Sequence, residues 1–119
     1  MLITVRQDAG RTVIAVAGEI DIATAPQLQD AAYQALLDGA SSLVIDLTDT
    51  GFIDSSGLRV MVNVLKRVAA VPARSLHVVR PAPPVMKVFE LTRLDSTFSM
   101  IDSVSALPPV QAEDRERRA

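Results

Sequence analysis

The segment Leu43–Val68, LVIDLTDTGFIDSSGLRVMVNVLKRV, leaves this chain few folds to choose from. An apolar run (Leu43, Val44, Ile45, Leu47) reads as a buried strand. A polar turn, Thr48-Asp49-Thr50-Gly51, leads through Phe52-Ile53 to Asp54-Ser55-Ser56-Gly57. An apolar-periodic helix is predicted from there, over about residues 56–70. Two serines and an aspartate at its start offer N-cap oxygens. The first free N–H groups of such a helix point at Ser55 and Ser56. A helix N-terminus favours negative charge, so a phosphate on a hydroxyl there is tolerated.

The flanking residues extend this strand–helix unit. Residues 2–6 and 12–17 have strand character, and the short turn Gln7–Gly10 between them predicts an antiparallel hairpin. Gly18-Glu19-Ile20-Asp21 then leaves the second strand. Thr24 reads as an N-cap, with Gln27 completing a capping box and Pro26 in the first turn. That helix is expected to run to about Asp38 and to end at Gly39. A strand over residues 75–80 and a helix from Pro83 or Pro84 to about Arg93 follow, the latter with Val85, Val88, Phe89 and Leu91 inward. A short strand within Phe98–Ile101 and a turn capped by Asp102 close the domain.

The predicted fold is therefore α/β, with a hairpin first and βα units after it. The sheet is expected to be mixed, with four to five strands. Residues 1–107 form one domain, and 108–119 are expected to be a disordered, charged tail. In such sheets the loops at the carboxyl ends of the strands form the functional edge. Gly18–Ala23, Thr48–Ser56 and Pro81–Pro84 would share it.

Charge and composition exclude several functions. The net charge is −2, which gives no electrostatic footprint for nucleic acid. There are no cysteines, hence no disulfide framework and no Cys-based zinc site. No metal or cofactor site is expected. The start, Met1–Val5, lacks the basic and apolar regions of a signal peptide, and no stretch approaches the roughly 20 apolar residues needed to span a bilayer. A cytoplasmic location and no membrane insertion are the expectation. Ser55 lacks the G-x-S-x-G context of a nucleophile, and no P-loop, G-x-G-x-x-G or H-E-x-x-H is present. His77, the sole histidine, lies mid-strand and reads as structural. The chain is not expected to be an enzyme. Ser55 would be the substrate of another protein.

Phe52-Ile53-Asp54-Ser55-Ser56-Gly57-Leu58 resembles the phosphorylation motif of anti-sigma factor antagonists, in the STAS domain family. Gly18-Glu19-Ile20-Asp21 and Thr24-Ala25-Pro26-Gln27-Leu28 resemble the second signature of that family, and the likeness spans roughly residues 2–107. It implies a STAS (SpoIIAA-like) fold and a partner-switching regulator. The unphosphorylated antagonist would bind an anti-sigma factor that is also a serine kinase of the histidine-kinase-like ATPase type, freeing a sigma factor. The kinase would phosphorylate Ser55, the serine directly after the aspartate. A PP2C-like phosphatase would restore the active form. Nucleotide would belong to the kinase, leaving this chain without a cofactor.

The candidate partner contacts are Glu19, Asp21, Asp54, Ser56, Gly57 and Arg59, the last because a cation in the first helical turn runs against the helix dipole. Each has a plainer reading. Asp54 and Ser56 serve as caps, Asp21 makes an Asx-type turn, Gly57 permits close backbone approach, and Arg59 is a solvated surface residue. Arg93 and Arg59 depart from the family pattern. The first stands where a glycine often ends a helix, the second where a small or apolar residue is common. The alternatives are a STAS module in another assembly, such as a signalling scaffold or a lipid-transport ATPase, or a small-ligand or nucleotide-binding module.

Overall fold

A computed structural model describes residues 1–110. Strands β1 (Leu2–Asp8) and β2 (Arg11–Ile20) precede helix α1 (Ala25–Leu37). Then come β3 (Ser42–Asp46), β4 (Thr50–Ile53), α2 (Ser55–Ala69), β5 (Ser75–Val79), α3 (Pro83–Leu91), β6 (Met100–Ile101) and a 3-10 turn at Val104–Ala106. The sheet order is β1-β2-β3-β5-β6, and β4 pairs with β2 off that path. Only the β1–β2 pair is antiparallel; the other pairs run parallel. The mixed sheet with a leading hairpin is as expected, but it has 6 strands rather than four to five.

The sixth strand is β4, within what the sequence shows as a loop. Its partner is the far end of β2. That strand pairs with β3 through Thr12–Ala15, then shifts register between Gly18 and Glu19 and pairs with β4 through Ile20. The Thr50 hydroxyl, buried, donates to the Val16 carbonyl at 2.8 Å beside this break. Gly18-Glu19-Ile20 thus belongs to the strand and does not leave it.

The hairpin turn is tighter than expected. Ala9 and Gly10 both have positive φ, 51° and 86°, as in the two-residue turns that match strand twist. Helix α1 ends as its sequence implies. Gly39 has φ 95°, and the N–H groups of Gly39 and Ala40 reach the carbonyls of Leu36 and Ala35.

Helices α1, α2 and α3 lie on one face of the sheet over Ile14, Val16, Ile20, Leu28, Leu43, Ile45, Met61, Val64 and Phe89. Val13, Val44 and Val79, on the other face, are covered by Ile101, Val104 and Leu107. Several side chains differ from the apolar stripes read in sequence. Val60 and Val64 are buried on α2, whereas Leu58, Val62 and Leu65 are half-buried. Leu91, expected inward, is 75% exposed, because α3 ends there and turns away through Thr92. Asp102 caps nothing; its carboxylate accepts from Arg80 Nε at 3.0 Å. The N–H of Val110 donates to the Ala9 carbonyl at 2.9 Å. Residues 111–119 of the expected tail lie outside the described residues.

Candidate functional site

Helix α2 starts directly from β4, and Asp54 is its N-cap. The residue is extended (φ −106°, ψ −172°) and its carboxylate accepts the N–H groups of Ser56 at 2.9 Å and Gly57 at 3.0 Å. Asp54 is thus the cap, and the Ser56 hydroxyl, expected as a cap as well, makes no such bond because the Asp54 carboxylate already takes the Ser56 and Gly57 N–H groups. Ser55 occupies the first helical position, where its side chain has no capping task, and it is exposed. Ser56 is half-buried.

The β2–β4 pairing brings the second signature alongside. Ile20 lies opposite Ile53, and the Asp54 N–H donates to the Ile20 carbonyl at 3.1 Å. Asp21 therefore follows β2 just where Asp54 follows β4. Its Oδ1 accepts the N–H of Ala23 at 3.0 Å, the N–H of Thr24 at 3.0 Å and the Thr24 hydroxyl at 3.1 Å. The Thr24 N–H above all, with the other donors, holds the Asp21 carboxyl below the usual carboxylate range. The expected capping box is absent. Thr24 sits at the N-cap position, but its hydroxyl oxygen accepts the Asp21 N–H at 2.9 Å, lies 2.7 Å from the Glu19 carbonyl, and makes no cap bond.

Gly57 is buried and takes part in the site through packing. A Cβ built there would lie 2.6 Å from Ile53 Cγ1, 2.8 Å from Ile20 Cγ2 and 3.0 Å from the Ile20 carbonyl oxygen. Absence of a side chain lets the first turn of α2 rest on the ends of β2 and β4. Arg59 is exposed one turn along from Ser55, and Glu19 is exposed opposite Phe52.

Two apolar residues at this edge escaped the sequence reading. Ile22, in the loop after Asp21, is 77% exposed, and Phe52 is 46% exposed. Large apolar side chains held in water beside polar groups suit a docking surface. Alternation would not have found Phe52: β4 runs inward, outward, outward, inward, because its pairing with β2 is irregular between Gly18 and Glu19. Ile22 carried no signal beyond falling outside the α1 stripe.

His77 is on the opposite face of the sheet, in register with Val44, and its Nδ1 lies 2.7 Å from Ser99 Oγ. Partial burial, then the nearby Arg11 guanidinium, lowers its pKa. It supplies no base to Ser55. Among the described residues no cluster of His, Cys, Asp or Glu suits a metal ion, and no helix is long and apolar enough to cross a membrane.

Known proteins share this fold. The family model described as "Mlab, STAS domain" matches residues 3–102. The anti-sigma-F factor antagonist RsfB of Mycobacterium tuberculosis is 28% identical over 102 residues, covering 86% of this chain and 82% of that one. The crystal structure of an anti-sigma factor antagonist from Mycobacterium paratuberculosis superposes with a TM-score of 0.80 at 30% identity, covering 88% of each chain. The anti-sigma factor antagonist SpoIIAA in its unphosphorylated form has the same fold, with a TM-score of 0.68 at 22% identity over 98% of each chain.

Proposed function

The chain belongs to the STAS domain family, and on that premise we propose that it is an anti-sigma factor antagonist switched by phosphorylation of Ser55. Unphosphorylated, it binds an anti-sigma factor that is also a serine kinase of the histidine-kinase-like ATPase type, and a sigma factor is released. The kinase moves the γ-phosphoryl group of ATP onto Ser55 Oγ, ADP leaves, and the complex comes apart. A PP2C-like phosphatase hydrolyses the phosphoserine. The chain acts in the cytoplasm, performs no catalysis, and engages neither nucleic acid nor membrane itself.

One observation carries this reading: Ser55 is exposed at the first position of α2 while Asp54 alone caps the helix. The hydroxyl can be modified without removing a bond that holds the fold. A phosphate adds about −1.5 to −2 charges beside Asp54. The helix end tolerates that charge locally. A closely fitted partner surface does not, because it must bury the new charge without a counter-ion. Phosphorylation thus acts on docking and leaves the fold nearly unchanged. Glu19, Asp21, Asp54, Ser56 and Arg59 frame the docking surface, and Gly57 shapes it from below.

The test is incubation with candidate serine kinases from the same organism and ATP, followed by mass spectrometry and binding measurements. Ser55→Ala binds the kinase and resists modification, and Ser55→Asp binds poorly. Binding of Ser55→Asp as tight as the parent's refutes the charge switch. A second reading, compatible with the family model matched over residues 3–102, is a STAS module of another assembly such as a lipid-transport ATPase. Unmodified Ser55 with every such kinase would support it.

A further inference from the structure

Ser55 and Arg59 stand four residues apart in the first turns of α2, and both are exposed. Side chains at this spacing share one face of a helix, with Cβ atoms about 5–6 Å apart. Three amides of this turn are already engaged. The Asp54 carboxylate holds the N–H groups of Ser56 and Gly57, and the Leu58 N–H donates to the Asp54 carbonyl at 3.0 Å. A phosphate on Ser55 is left with the N–H of Ser55 itself and the general field of the helix end, and it sits next to a carboxylate. A cation within reach adds to that limited support. Among the described residues the ion pairs are Arg6–Asp8 and Arg80–Asp102, and Arg59 has no carboxylate partner. Arg67, further along α2, lies over the Tyr33 ring, 4.1 Å from its centre.

The geometry points to Arg59 as an intramolecular clasp for the phosphoryl group of Ser55, a use that rests on Ser55 being the modified residue. The guanidinium fork matches two phosphate oxygens, which a lysine point charge does not. Before modification Arg59 is free for an acidic group of the partner. After modification it is held by its own helix. One chemical event then adds a dianion to the docking face and withdraws a cation from it.

The test needs no kinase. Phosphoserine is installed at position 55 during translation of the full chain, and its second ionisation is followed by 31P NMR at low salt. Arg59 favours the dianion and lowers the midpoint; Asp54, Asp21 and Glu19 oppose it. Arg59→Gln is expected to raise the midpoint by about 0.2–0.7 of a pH unit, the exposed ion-pair range divided by the free energy of one unit. Arg59→Lys falls between the two. Lys66→Gln, further along the same helix, controls for net charge and leaves the midpoint in place. Equal midpoints for the parent and Arg59→Gln, or an equal rise with Lys66→Gln, overturn the clasp. Either result leaves the partner-switching reading intact. Failure of any kinase to modify Ser55 would leave this measurement intact.

Discussion

Two single residues hold charge or backbone geometry against their ordinary preference. Arg11 is buried on the sheet face away from the helices, and its Nε has no hydrogen-bond partner among the described residues. Burial first, and the charge of Arg11 second, keep His77 neutral to lower pH than usual. The unfolded chain therefore takes up a proton near pH 6.5 before the folded one does. Stability falls as the pH drops below that value, and the loss continues until the folded-state pKa is passed. Urea unfolding from pH 7.5 to 5 should show the decline, and His77→Asn should flatten it. Arg11→Met should raise the His77 pKa, read from its ring proton shifts. Arg93 is the second case. It has φ 61° at the end of α3, in a position that suits glycine, because its N–H and that of Leu94 close the helix on the carbonyls of Glu90 and Phe89. The left-handed conformation costs about 1–2 kcal/mol in a residue with a side chain, part of which glycine returns as unfolded-chain entropy. Arg93→Gly should stabilise the domain by roughly 0.5–1 kcal/mol in thermal unfolding.

Among the elements, α2 depends most on a contact that helix propensity does not describe. Gly57 is a poor helix former, yet it is where the helix meets Ile20 and Ile53. Gly57→Ala would improve propensity and still destabilise the protein, by about 1–3 kcal/mol, because the new methyl overlaps buried side chains and the Ile20 carbonyl. Chemical denaturation decides the sign. A stabilised variant would mean that the first turn of α2 does not rest on β2 and β4. The same element shows where sequence periodicity is ambiguous. Its apolar residues form a broad stripe with Leu58, Val62 and Leu65 half-buried at the rim, so the inward centre at Val60 and Val64 was set by this contact as much as by the apolar pattern.

For the molecule as a whole, the exposed apolar pair at the functional edge separates folding from docking. Ile22 and Phe52 contribute little to the core while they face water. Ile22→Ser with Phe52→Ser should leave the unfolding midpoint nearly unchanged. It should weaken binding to the anti-sigma factor proposed as partner by at least ~10-fold, since each side chain is worth about 1.5–3 kcal/mol when fully buried. Isothermal titration against that partner checks it, and unchanged affinity would move the docking surface elsewhere.

Much of this architecture follows from local chemistry. The hairpin, the apolar run of β3, the Gly39 stop of α1 and the Asp54 cap that leaves Ser55 outward act within a few residues, so the amino-acid sequence alone determines them. The tertiary structure decided the rest. Whether Thr50–Ile53 is loop or strand depends on pairing with the far end of β2, a choice made by register across the chain and not by propensity within it. That pairing places Asp21 against Asp54. Thr24 is decided more locally: its hydroxyl accepts the Asp21 N–H and donates toward the Glu19 carbonyl, and the capping box with Gln27 does not form. Neighbours in sequence leave a segment such as Thr50–Ile53 several backbone states, and a strand arriving from elsewhere settles which one is adopted, because its N–H and C=O groups complete the ladder.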